Sequence, residues 1–323
     1  MKRNLDVEIA RLYGFACVVI AHANSLTLFR DYPMAGFIID ELCRSVIQLF
    51  FLVSGFFWRP EQIDRPLAYL KVLFPKIAIP FALWAAIYLA IDATHLLFPY
   101  DQQPRTWKSY ITTPWSGGIV FHLWFLPALL VGTAIGMTLI RRLGLNRALI
   151  ASLVLFLIGT VLGTYLRPSG IDVPLSLYRN GIFFAPIFLV GGYYLKTLDR
   201  LPDFTTFALM AAVGAVLCPL EGYYLARSYP SGHDLSLGTL PFGIGIFGMF
   251  LYLKSNAQWL AEWGRDVFGA YLAHVLVLKI VIEIFYPATT PIMIVTCVVL
   301  TFILSLAFSR LAKRNRWLRH LTP

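Results

Sequence analysis

The chain has 323 residues, 58% of them hydrophobic and 14% charged, with a formal net charge of +10. A soluble domain carries roughly 25% charged residues, so this composition, with a mean hydropathy of +0.70, excludes a water-soluble globule and makes lipid the solvent for much of the surface. The basic residues gather between the apolar runs, which fits membrane topology better than a nucleic-acid partner.

A spanning helix needs about 20 mostly apolar residues. Ten segments qualify in chain order: 7–29, 36–58, 70–97, 121–140, 148–166, 180–197, 204–225, 236–254, 266–286 and 290–312. The fold class expected is therefore an all-α polytopic membrane bundle of about ten helices, forming a single transmembrane domain over residues 1–323. Lys2, Arg3 and the Ala21-His22-Ala23 triplet imitate a signal peptide, but Asp6, Glu8 and Arg11 charge its early region, so an uncleaved first helix is expected. The second segment is the most polar, with Asp40, Glu41, Arg44 and Gln48, and the sixth is short and holds Pro186. With the N-terminus inside, 18 Lys and Arg fall on the inner side and 6, Arg179 among them, on the outer side; Arg11, Arg44 and Lys279 stand at or inside the membrane. The positive-inside rule then places both termini in the cytoplasm. The longest outer loop, 98–120, holds Trp107 and Trp115 with Gly117-Gly118, and a second, 226–235, is rich in turn residues.

Four separated cysteines (Cys17, Cys43, Cys218, Cys297) form no C-x-x-C pair and read as small buried hydrophobes. No metal-ligand spacing, Walker loop or Rossmann glycine pattern is visible, so no metal is expected.

Ionisable groups within a membrane usually face the bundle interior and carry function. Arg11 and His22 are eleven apart, which puts them within about 20° on one helix face and about 16 Å apart along the axis. Arg11 near the inner surface can fork onto a phosphate; His22, expected near mid-membrane, can take a proton from a hydroxyl. The plainer readings are a snorkelling arginine and a hydrogen-bonded interior histidine. Glu8, three residues before Arg11, is placed to orient it. The run from Phe50 to Phe57 includes Ser54 and Gly55, and on its own reads as close helix packing. Lys71 and Lys76, preceded by Arg59 and Arg65, form a basic cluster suited to a donor's phosphates or to anionic lipid. His122 and Trp124 open the fourth segment from the outside, suited to sugar binding or to an interfacial aromatic belt. Tyr271 and His274 share a face of the ninth segment, and a second histidine at membrane depth suggests a shared polar centre.

Taken in order, these pieces resemble the membrane acyltransferase-3 family, which includes O-antigen and enterobacterial-common-antigen O-acetyltransferases. Arg11, ten residues, then His22 matches its first helix; Phe50 to Phe56 matches F-F-x-x-S-G-F; Lys76 to Trp84 matches its basic stretch ending in I-P-(Y/F) and an aromatic residue; His122 to Leu126 matches H-L-W-F-L; Tyr271 to His274 matches Y-L-x-H. The chain departs in having Gly14 three residues after Arg11 rather than directly after it, Glu8 in place of the usual Asp, and lysine-based rather than arginine-rich basic residues.

The resemblance implies an O-acyltransferase of the bacterial cytoplasmic (inner) membrane. The donor would be acetyl-CoA or another acyl-CoA from the cytoplasm, its phosphates held by Arg11, Lys71 and Lys76 with Arg65 and Ser54 nearby. His22 would act as general base or covalent relay, with Arg11 and Glu8 in its catalytic set. Tyr271 and His274 would orient His22 or the substrate, and His122 and Trp124 would line the outer path of a carbohydrate or lipid-linked glycan. The alternative is a proton-coupled sugar or lipid transporter, although no inverted repeat is visible.

Overall fold

The computed structural model describes residues 5–25, 33–93, 121–171, 173–226, 235–285 and 290–322. Among these, all regular structure is helical. Both proposed outer loops fall mainly outside the described residues. The first segment is α1 (Leu5–Ser25), which runs unbroken through Ala21 to Ala23. The second is not one helix but two: α2 (Pro33–Arg44) and α3 (Gln48–Phe56) are separated by turn at residues 45–47. A short α4 (Pro60–Asp64) leads to α5 (Pro66–Ala93), which contains Pro75 and Pro80.

A 3-10 turn (Phe121–Trp124) opens α6 (Phe125–Leu143), which is followed by α7 (Leu145–Thr160) and a π-helical turn, Val161–Tyr165. After a short α8 (Leu175–Tyr178), α9 (Ala185–Thr197) begins five residues later than the sequence suggested. Pro186 is why: proline is tolerated in a helix's first turn, where its missing N–H has no partner to lose. The remaining helices are α10 (Phe204–Ala226), α11 (Thr239–Leu251), the short α12 (Gln258–Gly264), α13 (Val267–Phe285) and α14 (Pro291–Arg314). Asp203 caps α10 by accepting the Thr206 N–H at 2.7 Å. Hydrogen bonds from the Thr206 side chain and backbone hold the Asp203 carboxyl below its ordinary value.

Each of the ten apolar segments thus contains helix. Six stretches are long and apolar enough to cross a membrane: Pro66–Ile91, His122–Leu143, Leu145–Tyr165, Phe204–Leu225, Val267–Phe285 and Pro291–Arg314. Their exposed residues include Val72, Ile79, Ile150, Leu209, Ile292 and Val295, as a lipid-facing surface requires.

α1 sits centrally, packed against α2, α3, α11, α12, α13 and α14. The tightest crossing joins α3 to α9. A Cβ added to Gly55 would lie 1.8 Å from the Leu189 carbonyl oxygen, and one added to Gly192 would lie 2.0 Å from the Leu52 oxygen. Only glycine permits that approach. The aromatic run around Gly55 is therefore built for packing, and it sets the wall behind the polar centre.

Candidate active site

Three histidines from three distant parts of the chain meet in the interior. His22 comes from the last turn of α1, His122 from the 3-10 turn before α6, and His274 from the first half of α13. Their ring centroids are 4.8 Å apart for His22 and His274, 5.0 Å for His122 and His274, and 6.0 Å for His22 and His122. His122 and His274 are 1% and 0% exposed.

The hydrogen bonds define which nitrogen carries a proton. His274 Nδ1 lies 2.5 Å from the Tyr271 carbonyl oxygen, and a carbonyl can only accept, so Nδ1–H donates. In the neutral ring His274 Nε2 then holds a lone pair. It lies 2.7 Å from His22 Nδ1, so His22 Nδ1–H donates to it. His22 is left with its lone pair on Nε2, the form in which a histidine acts as a base. The backbone of α13 thereby selects the tautomer of a side chain on α1.

Two tyrosines fix this arrangement. The Tyr271 hydroxyl donates to the His122 backbone carbonyl, tying α13 to the turn before α6. The Tyr88 hydroxyl, from α5, donates to the Leu272 carbonyl at 2.9 Å and accepts the Leu276 N–H at 3.3 Å. Those two backbone groups are one helical turn apart and flank His274, so α5 grips α13 at the level of the histidines.

A small cavity of about 40 Å³ opens beside the cluster, lined by His22, His122, Trp124 and Tyr271 together with Arg44, Arg179, Cys43 and neighbouring apolar groups. Arg44 comes from α2, where its Nε is 2.6 Å from Asp40. Arg179 follows α8, is 8% exposed, and places its guanidinium 4.8 Å from the centre of the Trp124 ring.

Several expectations change. His122 is not an outer-surface histidine; it is buried against the other two, because the turn before α6 folds in under Tyr88 and Tyr271, with ring centroids 5.5 and 5.6 Å away. Arg179, counted among outer-loop charges, is an interior wall residue. Trp124, expected beside His122 at the outer surface, is likewise buried and lines the cavity, whereas Tyr271 and His274 share a face within the polar centre.

The groups expected near a donor's phosphates do not form one cluster. Arg11 Nη1 pairs with Glu8 at 3.1 and 3.2 Å, and its guanidinium lies 5.5 Å from the Phe57 ring centre. The Ser54 hydroxyl donates to the Phe50 carbonyl of its own helix at 2.7 Å. Arg65, Lys71 and Lys76 are exposed along the start of α5. Lys71 and Lys76, five residues apart, point about 140° from each other, so they cannot act as a pair on one face.

Arg44, Arg179 and Tyr88 escaped the sequence reading. Arg44 carried one signal, a charge in an apolar segment; Tyr88 and Arg179 carried none without the tertiary approach of α5 and the α8 turn. Among the described residues no group of His, Cys, Asp or Glu is arranged to hold a metal ion.

This fold and site define a multi-pass membrane protein with three histidines gathered inside its helical bundle. Residues 4–310 match the acyltransferase domain family Acyl_transf_3, and the chain belongs to that family. An amino-acid racemase of Enterococcus faecalis is 27% identical over 211 residues, 60% of this chain and 28% of that protein. A serine/alanine racemase of Enterococcus gallinarum is 23% identical over 288 residues, 84% of this chain and 40% of that protein. The chain therefore spans less than half the length of these relatives. No solved structure matches it significantly.

Proposed function

We propose that the chain is a membrane-embedded O-acyltransferase that moves an acetyl or other acyl group from coenzyme A to a hydroxyl of a cell-surface or lipid-linked carbohydrate. The observation that carries this reading is the relay from the Tyr271 carbonyl through His274 to His22, which leaves a basic nitrogen on His22 at a small cavity. The family supports the acyl chemistry. On this reading His22 Nε2 takes the acceptor's hydroxyl proton as that oxygen attacks the thioester carbonyl. The C–S bond then breaks, and the leaving thiolate takes the proton back from His22, giving ester and free coenzyme A. The stretch between Arg11 and His22, about 16 Å along α1, matches a donor whose phosphates and thioester sit at opposite ends of a long arm. Glu8 engages only Nη1 of Arg11, which leaves other guanidinium N–H groups for a phosphate. The scattered positions of Arg65, Lys71 and Lys76 suit a general attraction for an anionic donor.

With both termini in the cytoplasm and about ten spans, the histidine end of α1 faces the outer half of a bacterial inner membrane. A cytoplasmic donor and an outward acceptor then meet in the bundle, which also keeps water from the thioester. The racemase names belong to the longer relatives, and nothing in this site favours the transporter alternative.

The test is titration of acetyl-CoA into the protein in nanodiscs, with binding and thioester loss as readouts. Wild type is expected to bind and slowly consume the donor, and Arg11→Ala to weaken binding. A folded wild type that neither binds nor consumes acetyl-CoA or longer acyl-CoAs sinks the reading.

A further inference from the structure

A larger concavity lies on another side of α1. Ile9, Tyr13 and Ala16 of α1 line it with Phe250 of α11, Trp263 of α12 and Ile303 of α14, and it encloses about 490 Å³, within the range of ligand pockets. Tyr13 and Ile303 are 37% and 53% exposed, so it is a groove open to the surroundings of the bundle. At about 100° per residue, its α1 residues centre roughly 130° from His22 around the helix axis, so a ligand held here does not face the histidine cluster.

One end of the groove is charged. Leu306 lines it, and Arg310 and Lys313 follow on the same face of α14 at spacings of four and three. The Arg310 guanidinium lies 3.5 Å from the centre of the Trp263 ring, which ties it to the groove wall. Asp266 engages Arg310 at 2.8 Å and Lys313 at 3.3 Å, so two cations share one carboxylate. Residues 258–266 and 306–314 together carry Arg265, Arg310, Lys313 and Arg314 against Glu262 and Asp266, an excess of positive charge at this rim.

We propose that this groove holds an anionic phospholipid of the surrounding membrane, with one acyl chain against α1 and the phosphate at the Arg310–Lys313 rim. In a bilayer an acyl chain gains nothing from leaving water, because neighbouring lipid tails are as apolar as the groove. Selectivity for one lipid therefore comes from the rim, where basic groups near the membrane surface favour an anionic headgroup. Trp259 and Trp263 line the groove beside that rim, and tryptophan settles at the headgroup level. A lipid-linked acyl acceptor does not suit the groove, which points away from His22. The bound lipid braces α1 against α11, α12 and α14, and the site does not rest on the acyltransferase reading.

The experiment is native mass spectrometry of the full chain in detergent, titrated with dioleoyl phosphatidylglycerol or with dioleoyl phosphatidylcholine, which share their chains and differ in headgroup charge. Phosphatidylglycerol is expected to bind about 5-fold or more tightly, the order of one basic group at the membrane surface. Lys313→Gln is expected to reduce that preference. Ile303→Trp fills the groove without touching a charge and is expected to weaken phosphatidylglycerol binding several-fold. Ile303 already faces outward, so this variant is expected to keep the wild-type thermal midpoint. Glycerol 3-phosphate, a headgroup without chains, is not expected to displace the lipid. Equal binding of the two lipids, a preference unchanged in Lys313→Gln, undiminished binding to Ile303→Trp, or displacement by glycerol 3-phosphate overturns the proposal.

Discussion

On the proposed reading, His22 can act as a base only because other residues hold its proton on one nitrogen. An isolated histidine exchanges its proton between two nitrogens; here His274 holds it on Nδ1, and His274 is itself fixed by the Tyr271 carbonyl. Replacing His22 with Ala is expected to lower turnover by about 10²–10⁴-fold, the usual contribution of a general base, with little change in donor affinity. His274→Ala is expected to lower kcat while leaving KM for the donor near wild type, because it removes orientation and not a donor contact. A KM effect without a kcat effect would assign His274 to binding instead. Tyr88→Phe deletes the hydroxyl that grips α13 around His274, and the same split, read in steady-state kinetics, is expected in milder form.

Much of this set was legible in the sequence. Arg11 and His22 share a face by helical periodicity, and Tyr271 with His274 does so at a spacing of three. Ionisable groups are rare enough in apolar runs to stand out. Periodicity gives a face, however, not the neighbour that the face meets. His122 looked interfacial because it begins an apolar segment; only its approach to Tyr88 and Tyr271 buries it. Arg179 looked like a loop charge for the same reason.

At the scale of elements, the site depends on how closely the helices cross. Gly55 and Gly192 let α3 and α9 touch backbone to backbone. Gly192→Ala is expected to cost about 1–3 kcal/mol, the usual penalty of overpacking, seen as a lower thermal midpoint in detergent; an unchanged midpoint would show that the crossing yields easily. The break at residues 45–47 between α2 and α3 was hidden by an apolar run that reads as one span, although its charges hinted that it was unusual. That break leaves Arg44 at the end of α2, on the cavity wall. The start of α10 depends on Asp203 as its cap. Its carboxyl is held below the ordinary value, so the cap's stabilisation is present above the unfolded carboxylate range and lost as pH falls through the lowered folded value. Hydrogen exchange corrected for intrinsic rate is expected to show the first turn of α10 opening in acid, and Asp203→Ala opening it at neutral pH as well.

At the scale of the molecule, ten apolar runs announce a helical membrane fold; among the described residues all regular structure is helical, with six stretches long and apolar enough to cross a membrane. Orientation follows from a different property, the bias of Lys and Arg between loops. If both termini are cytoplasmic, a fluorescent reporter fused to either end is active inside the cell and a phosphatase fused to either end is inactive. An outside C-terminus would change the parity of the spans, and an outside N-terminus would turn the histidine cluster toward the wrong leaflet for an outward acceptor.

The most direct test of the account is the rate of thioester loss at saturating acetyl-CoA, with an acceptor found to stimulate it, for wild type, His22→Ala, His274→Ala and the double variant. If the two histidines act as one relay, His22→Ala and the double variant are equally slow, and His274→Ala lies between them and wild type at unchanged donor affinity. Turnover by His22→Ala close to wild type would contradict the account, because no step proposed here proceeds without that base.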